Sequence, residues 1–132
     1  MEKKRGKQLS EEDALAIVLK DHPEWHGQWE DGTLPDEIIG EEGEPFSPRM
    51  HIVVHTIVER QLAADEPEGV VAVAQGLEQL GLSHHDIRHA IGEAVASQLW
   101  YMNKEGCLFD EGRYMADLRK TVDSRRQARD GN

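Results

Sequence analysis

Three times in this chain a histidine is followed four residues later by a second histidine and, four residues further on, by a glutamate. The triplets are His22, His26 and Glu30; His51, His55 and Glu59; and His85, His89 and Glu93. Composition alone would give about 0.4 histidine pairs at this spacing, and about 0.04 complete triplets, in 132 residues. Four residues is close to one turn of an α-helix, so on helices each triplet forms a stripe along one face. A strand would also align His51, Val53, His55 and Ile57 on one face. The flanking residues decide between the two. Ser47 and Pro48 make a helix entry ahead of "HIVVHTIVE", and the run continues without a turn signal into "ERQLAAD".

The same logic reads the rest of the chain. Ser10 with Asp13, and Ser83 with Asp86, form S-x-x-D capping boxes, and Asp110 is a further cap. The first helix ends near Asp21, because Pro23 disfavours helical backbone at His22. A second starts with Pro23 in its first turn and covers "PEWHGQWE". The helix from Pro48 is expected to reach Asp65. Another, with Pro67 near its start, stops at Gly81, and the one capped by Ser83 runs to about Lys104. In the last helix Tyr114, Leu118 and Val122 are spaced to dock on the others. Residues 31–47 form one long acidic connection, with a short helix expected around Pro35 to Ile39 and a solvated acidic run from Glu41 to Glu44. No strand pattern is read. The fold class is all-α: a small helical bundle of about four to five helices, one domain over residues 10–122, with flexible tails at 1–9 and 124–132.

Charge and cysteine content narrow the function classes. The formal net charge is -11, from 26 acidic and 15 basic residues, so no nucleic-acid partner is expected and anionic membranes are repelled. One cysteine, Cys107, builds neither an internal disulfide nor a thiolate zinc cluster. The opening "MEKKRGKQLSEED" has no apolar stretch behind its charges, and no run is long enough to span a bilayer. A cytoplasmic location is expected.

The helical wheel places two stripes at the interior. From Pro48, Val54, Val58 and Leu62 define the apolar face; His51 and His55 fall inside it and Glu59 on its edge. From His84, the apolar arc holds Ile91, Val95, Leu99 and Met102. His85 and His89 flank it, beside the small residues Gly92 and Ala96. If these two helices ran parallel and in register, His51 would lie level with His85, His55 with His89 and Glu59 with Glu93. His84 is read as exposed.

Imidazoles one turn apart converge on one cation, and a carboxylate one turn on either binds the ion or orients a ring. The metal-ligand candidates are His22, His26, His51, His55, Glu59, His85, His89 and Glu93. The expected cofactor is a divalent transition metal (Zn, Fe, Mn or Ni) in a mono- or dinuclear site, with redox, dioxygen or hydrolytic chemistry open to it. A different reading makes the chain an acidic interaction module, engaging a protein partner or its own copies, with the histidines as a buried polar network without metal. Metal-free acid–base hydrolysis ranks below both, because no Ser-His or Cys-His arrangement is readable.

The segments "HPEWH" (22–26), "SPRMHIVVHTIVERQLAADEPEGV" (47–70) and "HHDIRHAIGEAVASQLW" (84–100) resemble an uncharacterised bacterial family, domain of unknown function 1841. Its pattern has an HPEYH-like element, an N-P-x-x-H-x-x-x-H helix leading to an E-Q-L segment, and a late helix with a histidine and a closing Leu-Trp. Trp25 stands where the family tends to Tyr, Ser47 replaces an Asn, and "ERQL" departs from E-Q-L. The resemblance implies a small single-domain protein in which His22, His26, His51, His55 and His89 form one constellation. It implies no reaction.

Overall fold

The computed structural model describes residues 8–40 and 42–131. Among these, the chain forms six helices and one two-stranded hairpin: α1 (Glu11–Asp21), α2 (Pro23–Asp31), β1 (Ile38–Ile39), β2 (Pro45–Phe46), α3 (Pro48–Ala64), α4 (Val70–Gln79), α5 (His84–Glu105) and α6 (Glu111–Asp130). The fold is all-α apart from that hairpin. No helix among the described residues is long and apolar enough to cross a membrane. Residues 1–7 of the expected N-terminal arm, and Glu41 of the expected acidic run, lie outside the described residues.

The caps form where the sequence puts them. The side chains of Ser10, Ser47, Ser83 and Asp110 accept from the backbone N–H of Asp13 (3.0 Å), Met50 (3.1 Å), Asp86 (3.1 Å) and Arg113 (3.0 Å). Each satisfies one of the amides that the first helical turn leaves without a partner. α1 and α2 are separated by His22 alone, held at φ -127° and ψ 64° ahead of Pro23.

Two expectations for the connections are overturned. No helix forms between Pro35 and Ile39. Instead Ile38 pairs with Phe46 and Ile39 with Pro45, antiparallel, so a strand pair exists where none was read. β-branched Ile38 and Ile39 suit extended backbone, and Gly43, at φ 83°, takes the left-handed conformation used in the reversal between the strands. α4 begins at Val70, three residues after Pro67. The intervening turn is organised by Asp65, whose carboxylate accepts from the N–H of Gly69 and of Val71, both at 3.1 Å.

The core has two parts that meet at α3. The larger joins α3, α4, α5 and α6 through residues such as Val58, Leu77, Ile91, Val95, Tyr114 and Leu118. The smaller packs Val18 and Leu19 of α1 and Leu34 against Ile52 of α3, with Trp25 and Trp29 alongside. α3 therefore presents Val54 and Val58 to one cluster and Ile52 to the other, and His51 and His55 lie along the seam. α6 continues helically to Asp130, although nothing beyond Val122 on it is covered.

Candidate metal centre

His22 enters the seam because the helix breaks there. Its own N–H bonds to Leu19 O (3.1 Å), which frees Val18 O, one of the carbonyls stranded at the end of α1. The His22 ring takes up that carbonyl through Nδ1 at 2.7 Å. This fixes Nδ1 as a donor, so in the neutral ring the lone pair is on Nε2, which points away from α1. It lies 3.2 Å from Nε2 of His51. His55, one turn along α3, completes a group of three histidines whose ligand nitrogens all lie within 4.8 Å of one another.

Aromatic rings close one side of this group. Trp25 stacks on His22, with centroids 5.4 Å apart and planes 5° from parallel, and meets His51 edge-on at 5.5 Å. Phe46 also meets His51 edge-on, at 6.4 Å. Neither ring belongs to the histidine pattern. The signal for Phe46 was its place just before the Ser47 cap. There, an apolar residue packs against the fourth helical position, which is His51.

Burial sets the charge state. His55 is 8% exposed, and loss of hydration pulls its pKa down to about 3, with further lowering from His51 and His89. His51 is lowered to about 4, again chiefly by burial and then by His22 and His89. His89 is lowered by burial and by His85. His51 and His55 are therefore neutral near pH 7, the form that donates a lone pair to a metal.

The remaining sequence candidates take other positions. His89 on α5 packs its ring 4.9 Å from His55 and 5.3 Å from His51 but is not one of the three with convergent nitrogens. His85 was placed inward by the helical wheel. It is exposed in the first turn of α5, its ring tilted against that of His89 with centroids 4.4 Å apart. Glu93 is exposed at the edge of a cavity that also touches His51, His55 and His89. His26, expected beside His22, faces solvent and bonds Glu30 at 3.1 Å, since α2 turns away after Pro23. Glu59 is bound by Arg88 at 2.7 Å, both groups partly buried. His84 is exposed, as read.

The parallel register is also corrected. His55 faces His89, as expected, but Glu59, one turn further along α3, reaches back to Arg88 instead of forward to Glu93. Ser47 and Met50, at the start of α3, border the same cavity as Glu93 and Ala96. α3 and α5 therefore cross, and buried Gly92 marks a close approach: a Cβ there would lie 3.2 Å from Val54 Cγ1.

The family model for a domain of unknown function, DUF1841, matches residues 1–120. The chain belongs to this family. No curated protein and no solved structure matches it. The family match spans α1 to the middle of α6 and so includes all three convergent histidines.

Proposed function

We propose that this member of the family binds one divalent transition-metal ion through His22, His51 and His55, leaving at least one coordination position for an exogenous ligand. The convergence of three imidazoles from two separate segments carries the reading. Two nitrogens bound at about 2.0–2.1 Å to a tetrahedral ion stand about 3.3 Å apart, and His22 Nε2 and His51 Nε2 are 3.2 Å apart. The contact from His22 Nδ1 to Val18 O is the outer hydrogen bond that metal-bound histidines characteristically make, and it leaves the correct nitrogen free. An all-imidazole set suits Zn, Fe or Ni. Mn, also among the ions expected, favours carboxylate oxygen, and neither Glu59 nor Glu93 converges with the three histidines. With three protein ligands the ion would act as a Lewis acid or carry a reactive water.

The competing reading, a metal-free polar network in an acidic interaction module, draws on the same 3.2 Å contact. His51 Nε2–H donating to His22 Nε2 pairs these two nitrogens without an ion. Metal analysis separates the two. The protein is purified without a polyhistidine tag after growth with Zn, Fe, Mn, Ni and Co supplied. About one equivalent is expected in the wild type and in His26→Ala, with loss in His55→Ala and His22→Ala. Less than about 0.2 equivalents in the wild type, with a melting temperature indifferent to chelator, would favour the metal-free network.

A further inference from the structure

Beside the convergent histidines lies a cleft of about 280 Å³ that touches His51, His55 and His89 but not His22. We infer that it receives a small, uncharged, largely apolar molecule whose single nitrogen or oxygen donor completes the coordination of the ion. This rests on the metal-binding reading above and adds the ligand class. The volume corresponds to about nine waters at ~30 Å³ each, room for a molecule of about ten non-hydrogen atoms.

The walls define the chemistry. Phe46, Met50, Val54, Gly92 and Ala96 supply apolar surface, which favours expulsion of water by an apolar body. Gly92 adds no side chain to the wall, and Ala96 adds only a methyl group. Of the polar lining groups, the Ser47 oxygen already accepts from the N–H of Met50, with its O–H left to donate. Beside the His89 ring, the Glu93 carboxylate, exposed at the edge, can accept a hydrogen bond from a ligand hydroxyl or N–H. No lysine or arginine lines the cleft. Apart from the ion itself, a carboxylate or phosphate would find no cationic partner there, and it would meet Glu93 on a chain of net charge -11. The donor end therefore points to the histidines, and an uncharged body lies between α3 and α5.

The Co(II)-loaded protein tests this through its visible absorption. The probes are imidazole, its phenyl-substituted derivative, and benzoate as an anion with the same ring. The phenyl derivative should bind tighter than imidazole by roughly tenfold or more, as burying a phenyl ring requires. Benzoate should bind more weakly than either. Ala96→Leu, at an exposed position on the cleft wall, should abolish the advantage of the phenyl group while cobalt affinity, set by His22, His51 and His55, stays unchanged. Equal affinity for imidazole and its phenyl derivative in the wild type overturns the inference, as does tight benzoate binding, even with cobalt fully bound. Failure to bind cobalt overturns the metal reading itself, and this inference with it.

Discussion

The metal-free protein should lose stability steeply as the pH falls from 7 to 5, and His51 and His55 should be the cause. Both rings are neutral in the folded state, with pKa values of about 4 and about 3, against 6.5 in the unfolded chain. The unfolded state therefore takes up protons first. Their stabilising contribution is complete above pH 6.5 and is lost as the pH falls towards 4 and then 3. Between pH 7 and 5 each ring contributes a loss of about 2 kcal/mol. Part of the lowering at His55 is repulsion from His51, so the pair together accounts for ~2–4 kcal/mol. That is a large share of the 5–15 kcal/mol typical of a domain. Urea denaturation in the presence of chelator, followed by helical circular dichroism, should show a midpoint lowered by about 1–2 M. Relief of excess negative charge works in the opposite direction over this range, so the drop is not a generic effect of acid. In the His51→Gln/His55→Gln double variant most of the drop should vanish. If the variant and wild type lose the same stability between pH 7 and 5, the buried neutral rings are not its origin.

The same neutrality bears on metal affinity. Two ordinary imidazoles would weaken binding on the order of 50- to 100-fold between pH 7 and 5.5 by competition with protons. His51 and His55 should contribute almost nothing over that range, so titration calorimetry should find a shallower dependence than an exposed histidine site gives. Glu59→Gln leaves Arg88 without its partner and should cost about 1–3 kcal/mol in denaturant titrations. Metal stoichiometry should not change, because Glu59 is not one of the convergent groups. Gly92→Val places a branched side chain where even a Cβ comes within 3.2 Å of Val54. Forcing α3 and α5 apart should lower stability by about 1–3 kcal/mol, with Gly92→Ala affected less.

Most helix boundaries were legible because they depend on a few neighbouring residues. Ser47 before Pro48, Ser83 three residues before Asp86, and Pro23 after His22 each act within one turn, and each has the predicted effect. The connections were less legible because their partners are further apart. The hairpin needs Ile38 opposite Phe46 across a glycine-bearing turn, and two residues per strand are too few to show alternation. The start of α4 depends on Asp65 reaching forward to Gly69 and Val71, a contact made outside any helix.

The site exposes the limit of a periodicity argument. A four-residue step identifies side chains that share a face, but which turn of that face meets its neighbour depends on how the helices cross. His51 and His55 lie where α1 and α5 both approach α3. Glu59, on the same stripe, is one turn further on and meets Arg88. On α5 the crossing brings in His89 and leaves His85 outside. His22 joins for the opposite reason: Pro23 breaks the stripe it shares with His26, and the stranded carbonyl of Val18 then orients its ring. A continuous helix through residues 22–26 would keep the two rings on one face but return Val18 O to a backbone N–H, leaving nothing to turn Nε2 of His22 towards His51. The break in the first histidine pair is thus what supplies the third convergent imidazole.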